Sequence, residues 1–298
     1  MKKLKTLLAI AFLISSQLSW AQKTDYSQIF VDQDWMQQHI DDENMVILHV
    51  ASPDTYKEGH LKGAISIVPQ QYTVVRGEIY WELPEVEALA DTLQNLGIDD
   101  DSQIVLYYGG TDHAATFRLF YTFDYFGISS QVKILDGGLK GWKANNLPLT
   151  TESPKPVSAA NKIRLKANKK LFANKDDVIK AQAKSQVQLI DARRDVYFNG
   201  SEKGDYKRGG HIATAKNICW LDIVDENMFV KDKATLAAYY SNIGLTPKTQ
   251  VMSYCHVGLR ASVIYTIAKY LGYDARLYDG SFNEYDTLDD RYPVENGN

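Results

Sequence analysis

One short segment of this sequence combines the residue types most able to do covalent chemistry. Cys255 follows the apolar run 251–254 and precedes a helical pattern at 261–271. A tight loop between a strand and a helix turns backbone N–H groups inward, and the helix start adds positive potential. Such surroundings favour a thiolate, so we expect Cys255 to be a nucleophile that needs no metal. The loop after it consists of His256, Val257, Gly258, Leu259 and Arg260.

The other loop residues have supporting roles. Gly258 lets the backbone turn close to the sulfur, and Arg260 adds fixed charge for an anion or anchors the loop. Val257 and Leu259 are expected to contribute to the same binding loop. His256 either orients a substrate or is an ordinary exposed histidine. The alternative for the cysteine is a small apolar side chain at a strand end, but the loop and the arginine directly after it favour a nucleophile.

The spacing within this loop distinguishes two kinds of anion. Four residues lie between Cys255 and Arg260, whereas tyrosine phosphatase loops place five residues between Cys and Arg to fit a tetrahedral phosphate. The shorter loop fits a single sulfur atom better than a phosphoryl group. We therefore expect Cys255 to hold sulfur as a persulfide, and a phosphatase is the disfavoured alternative.

A second candidate group lies at the end of another apolar run. Leu189 and Ile190 are followed directly by Asp191-Ala192-Arg193, so a buried strand runs out into charge. Arg193 should project near the same edge of the sheet and bind the substrate anion. Asp191 should bond to loop backbone and hold the architecture. The alternative for Arg193 is a surface ion pair.

Internal repetition indicates which elements position these residues. Three landmarks of the first half recur in order in the second half, at offsets of 151, 147 and 143 residues; they are the pairs His60 and His211, Tyr108 and Cys255, and Asp136 and Asp279. The chain is therefore a duplicated domain. Because the first copy has no cysteine at this place, we expect it to be an inactive scaffold. The histidines occur in both copies, which favours a structural role.

Both copies alternate short apolar runs with helical patterns, which predicts parallel βαβ units. The fold class is therefore α/β, with two tandem domains that each contain a mostly parallel sheet flanked by helices. Ligands of such sheets bind beyond the carboxyl ends of the strands. The predicted strands are 45–50, 104–107, 132–135, 187–190, 251–254 and 275–278, and the predicted helices are 84–96, 114–126, 233–243 and 261–271.

The first residues predict export. Lys2, Lys3 and Lys5 precede the apolar run 7–14 and then Ser19-Trp20-Ala21, which is typical of a cleaved secretory signal. An anchor helix is the alternative, and it is disfavoured because the apolar run is short. We expect a signal peptide at 1–21, an inactive domain at 22–150, a linker at 151–165 and a catalytic domain at 166–298. The mature protein should be periplasmic or secreted.

Composition limits the partners. Apolar residues make up 45% of the chain and charged residues 23%, with a net charge of −4. This charge offers no basic field for nucleic acid or acidic lipid, so neither nucleic acid nor a membrane is an expected partner after signal cleavage. The only two cysteines are Cys219 and Cys255. An oxidising compartment permits a disulfide between them, but the setting of Cys255 favours a reactive thiol.

Four segments together resemble the active domain of tandem rhodaneses, the thiosulfate and 3-mercaptopyruvate sulfurtransferases. They are Asp191-Ala192-Arg193, Gly210-His211-Ile212, the loop from Cys255 to Arg260, and Tyr278-Asp279-Gly280-Ser281. The resemblance covers both halves of the chain. It implies two similar α/β domains, an inactive first copy, and a site in the second copy that faces the domain interface. It also implies that Cys255 forms the persulfide, without a cofactor.

The sequence departs from the mercaptopyruvate branch of that family at two places. That branch usually has Cys-Gly-Ser-Gly where this chain has Cys255-His256-Val257-Gly258, and a second substrate arginine where this chain has Val196-Tyr197-Phe198. Lys207 or Arg208 are the candidates to replace that arginine. We therefore expect a small anionic donor, thiosulfate, and an acceptor that is a thiol, cyanide or a protein dithiol. The alternatives are 3-mercaptopyruvate as donor, or a persulfide carrier with little turnover.

Overall fold

Two copies of one α/β unit form the fold. The computed structural model of the protein describes residues 25–77 and 79–297, so the signal peptide expected at 1–21 lies outside the described residues. Within the described part of the chain, no helix is long and apolar enough to cross a bilayer. Each unit has a five-stranded sheet in which every paired strand is parallel. The predicted fold class is therefore confirmed.

The strands occur in the same spatial order in both units. The sheet of the first unit has the order β1-β7-β6-β2-β3, with β1 Phe30–Val31, β2 Met45–Val50, β3 Ile65–Ile67, β6 Gln103–Tyr108 and β7 Val132–Leu135. The sheet of the second unit has the order β11-β9-β12-β13-β8, with β8 Phe172–Ala173, β9 Val187–Asp191, β11 Lys216–Asn217, β12 Gln250–Tyr254 and β13 Ala275–Tyr278. Two antiparallel pairs complete the described strands: β4 Val74–Arg76 with β5 Ile79–Glu82, and β10 His211–Ile212 with β14 Val294–Glu295.

Helices cover both faces of these sheets. Alternate residues of β6 enter separate apolar clusters: Leu106 packs on one side of the sheet and Val105 on the other, as expected for a strand buried on both faces. The helices of the first unit are α1 Gln33–His39, α2 Pro53–Lys57, α3 Val86–Asn95, α4 Ala114–Tyr125 and α5 Gly138–Ala144. Those of the second unit are α6 Lys175–Gln182, α7 Asp195–Phe198, α8 Lys233–Asn242, α9 Ala261–Tyr270 and α10 Ser281–Tyr285.

The duplication extends to single contacts. The hydroxyl of Tyr107, at the end of β6, accepts a hydrogen bond from Leu61 N, and the hydroxyl of Tyr254, at the end of β12, accepts one from Ile212 N. The rings of His60 and His211 each stack on an aromatic neighbour, and their Nδ1 atoms each lie within hydrogen-bond distance of a backbone carbonyl. Both histidines are buried, which supports the structural role expected from their presence in both copies.

The two units meet along α4 and α9, the helices that follow the two equivalent loops. Both helices are buried along most of their length. The hydroxyl of Tyr265 on α9 donates to Asp124 Oδ2 on α4 at 2.6 Å, and Tyr26 and Ser129 donate to Asp124 Oδ1. The ring of Tyr265 also meets that of Tyr121 edge to face at 4.9 Å. The interface is therefore a continuous core in which the buried Asp124 carboxylate is fully paired.

A hairpin of the second unit also contacts the first unit. In the second unit, residues 224–230 follow a 3₁₀ turn and lie on the first unit. There Met228 O accepts from the Tyr108 hydroxyl, and Val230 N donates to Asp136. The ring of Phe229 lies so close to Gly137 that a Cβ atom there would come within 2.6 Å of it. The site in the first unit that is equivalent to Cys255 is therefore filled by protein.

We expect Tyr265→Phe to destabilise the domain interface. It removes one of three hydrogen bonds to the buried Asp124 carboxylate, and a hydrogen bond to a charged group contributes about 2 kcal/mol. Chemical unfolding followed by fluorescence should show this loss of stability. Tyr121→Phe is the matched control, because its hydroxyl donates only to Leu171 O at 3.5 Å and its removal should cost much less. Equal losses in the two variants would contradict this assignment.

Candidate active site

Cys255 lies directly after β12, at the carboxyl edge of the second sheet, and is fully buried. Its backbone N–H donates to Ser281 Oγ at 3.2 Å, and its carbonyl accepts from Phe282 N at 3.0 Å. The next carbonyl, of His256, accepts from Asn283 N at 2.9 Å. The turn that begins α10 therefore holds the start of the cysteine loop, and it does so mainly through the carbonyl groups.

The backbone N–H groups of the loop after Cys255 differ from its carbonyl groups. Among the described residues, none of the backbone N–H groups of residues 256–260 has an acceptor. Arg260 is the N-cap of α9 but makes no side-chain capping bond. The first N–H groups of a helix need partners from outside the helix. A set of free N–H donors next to a sulfur atom is suited to binding a sulfur anion.

Gly258 is the tightest point of this loop. Its φ is +78°, a region that residues with a Cβ rarely adopt. A Cβ atom there would lie 2.7 Å from Asp279 Oδ1 and 3.0 Å from Arg118 Nη1. The predicted need for glycine therefore has two causes, the backbone conformation and the close approach of an ion pair behind the loop.

Arg260 lies at the end of the loop and is half-buried. Its guanidinium lies 5.4 Å from the ring centroid of Trp220, and among the described ion pairs none involves Arg260. The ring of Trp220 in turn contacts His113, which is the first-unit counterpart of Arg260. Burial lowers the pKa of His113 to about 4, so only the second unit carries a charge at this loop position near neutral pH.

His256 is enclosed by aromatic side chains. Its ring is parallel to that of Tyr206, with Nδ1 3.0 Å from the Tyr206 hydroxyl, and it meets the ring of Tyr197 edge to face at 4.8 Å. Burial, together with the charges of Arg193 and Arg260, lowers the pKa of His256 to about 4. His256 is therefore neutral near pH 7. It adds no positive charge beside the sulfur, and it is not the freely exposed histidine of the alternative interpretation.

Asp191 and Arg193 form a pair that differs from the prediction. Arg193 Nε lies 3.0 Å from both Asp191 carboxylate oxygens, and its Nη2 donates to Asp191 Oδ2 at 2.6 Å and to Gly210 O at 2.7 Å. The Arg193 guanidinium also lies 4.1 Å from the Phe282 ring centroid. Both side chains are almost completely buried.

The role predicted for Arg193 is corrected accordingly. Asp191 accepts a hydrogen bond from the backbone N–H of Arg193, just past the strand end, and it also bonds to the Arg193 side chain. Arg193 does not project freely to bind a substrate anion, because its charge is already compensated by a buried carboxylate. The alternative of a surface ion pair is also wrong. The pair stabilises the strand end from inside the protein.

The sequence reasoning missed Arg118 on α4 of the first unit. Its side chain is fully buried, and it forms two bonds to Asp279, from Nη1 at 2.5 Å and from Nη2 at 3.1 Å. Its Nη1 also lies 3.5 Å from Gly258 O. The spacing within the sequence gave no signal for this contact, because 161 residues separate Arg118 from Asp279. An arginine in a mostly apolar helix, whose only other charged residue is Asp124, was the one available indication.

The remaining predicted residues have clear positions. Val257 is half-buried in the loop, and Leu259 is half-buried against the apolar core between the units. Cys219 and Cys255 are free thiols, so the disulfide considered from the sequence is not formed. Burial raises the pKa of the Cys219 thiol, which makes it a poor nucleophile near neutral pH. In the part of the chain that the structure describes, no group of His, Cys, Asp and Glu could hold a metal ion.

The candidates to replace the second substrate arginine differ in their availability. Arg208 Nη1 donates to Tyr292 O, its Nη2 donates to Tyr285 O, and its guanidinium lies within ion-pair distance of Asp286. Lys207 is exposed and lines a cavity of about 420 Å³ together with Tyr206 and Arg76. Arg208 is therefore engaged by protein groups, whereas Lys207 is accessible to solvent.

Comparison with known proteins identifies relatives of the whole chain. The chain is 30% identical to the Sulfur carrier protein TtuD of Thermus thermophilus, over 88% of this chain and 95% of that protein. It is 29% identical to the 3-mercaptopyruvate sulfurtransferase of Escherichia coli K12, over 89% of this chain and 97% of that protein. The chain is also 30% identical to a candidate thiosulfate sulfurtransferase of Synechococcus elongatus, over 90% of this chain and 85% of that protein.

A solved structure and a protein-family model point to the same family as these relatives. The crystal structure of SseA from Escherichia coli, described by its authors as a rhodanese fold of 3-mercaptopyruvate sulfotransferases, matches with a TM-score of 0.75 and 28% identity, over 85% of this chain and 98% of that one. The family model of the Rhodanese-like domain matches the chain twice, at residues 32–145 and 174–287. The chain therefore belongs to the rhodanese-like domain family and contains two copies of that domain.

Proposed function

We propose that the protein is a sulfurtransferase that moves sulfane sulfur from thiosulfate to a thiophilic acceptor through a persulfide on Cys255. The observation that carries this proposal is the loop of free N–H groups that follows the cysteine. Such a loop suits a bound sulfur anion. Family membership supports the same reaction class, because relatives along the whole chain are named as sulfurtransferases or as a sulfur carrier.

The proposed reaction has two displacement steps. In the first step the Cys255 thiolate attacks the outer sulfur of thiosulfate; a new S–S bond forms, and the old one breaks with its electron pair leaving on sulfite. In the second step the acceptor nucleophile attacks the outer sulfur of the persulfide. That S–S bond breaks and its electron pair returns to Cys255, which regenerates the thiolate. The free N–H groups and Arg260 are suited to stabilising the negative charge on sulfur in both steps.

Thiosulfate is favoured over 3-mercaptopyruvate by the surroundings of the loop. A carboxylate at a distance from the sulfur is best bound by an arginine that can make two bonds. The segment where the mercaptopyruvate branch has that arginine is here part of α7, and its Tyr197 packs against the neutral His256. Arg208 is engaged elsewhere. Arg260 is the cation most available to a compact dianion at the loop.

A persulfide carrier is the second candidate. One observation favours it: the Thermus thermophilus relative is named a sulfur carrier protein. A carrier would also load Cys255, but it would release sulfur only slowly to small nucleophiles. Steady-state turnover of thiosulfate with cyanide separates the two, since only an enzyme should form thiocyanate over many cycles.

The first prediction from this proposed function concerns the nucleophile. Incubation with thiosulfate should increase the intact mass of the protein by one sulfur atom. Cys255→Ser should abolish this gain together with cyanide-dependent turnover. Cys219→Ser is the matched control and should retain most of both, because burial already raises the pKa of the Cys219 thiol. Comparable losses in the two variants would indicate a dithiol mechanism and overturn the single-cysteine proposal.

The second prediction concerns the loop. Gly258→Ala should lower sulfur loading by about 10²-fold, because a displacement of about 1 Å near the reacting atoms has effects of that size. The matched control is Gly272→Ala, where φ is +91° but a Cβ would meet nothing within 4 Å. Both variants carry backbone strain, and only Gly258→Ala also carries a clash. Mass spectrometry after a brief thiosulfate pulse should therefore find normal loading in the control and little in Gly258→Ala. Equal loading in both would remove the role assigned to the tight loop.

The third prediction concerns the donor. We expect kcat/KM to be higher for thiosulfate than for 3-mercaptopyruvate, and we expect Arg260→Ala to lower kcat/KM for thiosulfate more than for the monoanionic donor. Side-by-side kinetics with cyanide as the acceptor measure both ratios. A tenfold advantage for 3-mercaptopyruvate, about 1.4 kcal/mol of transition-state stabilisation, would refute the donor assignment and leave the sulfurtransferase proposal intact.

A further inference from the structure

Arg118 places a charge of the first domain directly behind the cysteine loop of the second. The side chain of Arg118 is fully buried, and the Asp279 side chain is almost fully buried. Nη1 and Nη2 each bond to a different Asp279 oxygen, at 2.5 and 3.1 Å. Nη1 also lies 3.5 Å from Gly258 O, at the long limit of a hydrogen bond. A paired guanidinium and carboxylate of this kind fixes orientation as well as distance.

The turn held by this ion pair also holds Cys255. Asp279 follows β13 directly, and two residues later Ser281 Oγ accepts from Cys255 N at 3.2 Å while donating to Tyr278 O at 2.9 Å. Ser281 adopts a φ of +51°, an unfavourable conformation that persists only where the surroundings enforce it. The same carboxylate of Asp279 forms the surface on which Gly258 packs. Arg118 therefore supports the loop at two points through one partner.

The inactive copy lacks this device, although the same contact could have been built there. At the offset of 147 residues between the two loops, the counterpart of Arg118 is Tyr265, whose hydroxyl bonds to Asp124. The counterpart of Asp279 is Asp136, which accepts the N–H groups of Gly137 and Val230. Burial raises the pKa of Asp136 to about 6. An ion pair that served only to join the domains could lie at either of these two equivalent places, beside Asp136 or beside Asp279. The structure has it beside Asp279, next to the Cys255 loop.

We propose that Arg118 is a positioning residue of the active centre, through which the first domain holds the cysteine loop of the second in its sulfur-binding geometry. This inference rests on the proposed function of Cys255. The competing explanation is that Arg118 merely neutralises Asp279. In that case, removing both charges together should leave the loop and its chemistry intact.

The experiment uses the full-length protein with Cys219→Ser, so that thiol alkylation reports on Cys255 alone. The variants are Arg118→Lys, Arg118→Ala and the double variant Arg118→Ala with Asp279→Asn. The double variant matters because a lone buried carboxylate can prevent folding, whereas a pair without charge does not carry that cost. The matched control is Arg276→Ala with Asp177→Asn, an ion pair of the same domain with a distance of 3.1 Å. Each variant is tested for iodoacetamide alkylation, for kcat and KM with thiosulfate and cyanide, and for rescue by added guanidinium.

We expect the double variant to fold with near-native stability, yet to lose about 10-fold or more in both kcat and alkylation rate, with a smaller change in KM. Arg118→Lys should retain part of kcat. In Arg118→Ala, which keeps the Asp279 carboxylate, added guanidinium should raise kcat by several-fold. The Arg276 control should keep its kcat. Wild-type kcat and alkylation in the double variant would overturn the proposal. If the parent protein gained no sulfur from thiosulfate, alkylation would still report on the loop, so the two failures are distinguishable.

Discussion

A loop that binds an anion with its backbone N–H groups cannot use those groups to hold itself in place. Among the described residues, the N–H groups of residues 256–260 have no acceptor, and buried donors without a partner carry a large cost in free energy. The conformation must therefore be stabilised from outside, by contacts that avoid the N–H groups. The protein does this through the loop carbonyls, through Ser281 and through the Asp279 carboxylate packed on Gly258. Most of the polar arrangement around Cys255 follows from this one constraint.

The duplicated fold provides contacts that hold the loop without using its N–H groups. The two units present equivalent helices, α4 and α9, to each other across a buried interface, so a side chain on one helix reaches the loop end of the other unit. One side of this near-symmetric interface carries a buried ion pair behind the cysteine loop, Arg118 with Asp279. The other side has become a filled core, where Phe229 occupies the space beside Gly137. The equivalent surfaces of the two copies therefore differ, since one holds a buried ion pair and the other a filled apolar core.

The central strands and the longer helices were predictable from the sequence because their signals are local, whereas the short elements, such as α2 and α7, were not predicted. The strands 45–50, 132–135 and 275–278 were predicted with their observed bounds, and the helices differ by one or two residues at their ends. Apolar runs, a helix start and a repeated motif act over short distances, so they also identified the place of Cys255. The fold class followed from the alternation of strands and helices.

The electrostatics of the site were not predictable in the same way. Whether Arg193 is free or paired depends on side-chain rotamers within a buried strand end. The neutrality of His256 depends on burial by Tyr197 and Tyr206, which are 59 and 50 residues away in the sequence. Arg118 acts across the domain interface. Each of these properties arises from tertiary neighbours, and a sequence pattern contains no information on them until the two units are placed together.

The complete burial of Cys255 also has a kinetic consequence. With no surface of the residue open to solvent in the described structure, a reagent reaches the sulfur only in moments when the covering side chains move aside. The observed rate of any reaction at this sulfur is then the product of an opening equilibrium and an intrinsic rate. The opening equilibrium therefore slows the reaction of large reagents, including large oxidants, whatever their intrinsic reactivity. In the proposed reaction, this protection would lengthen the lifetime of the Cys255 persulfide between donor and acceptor.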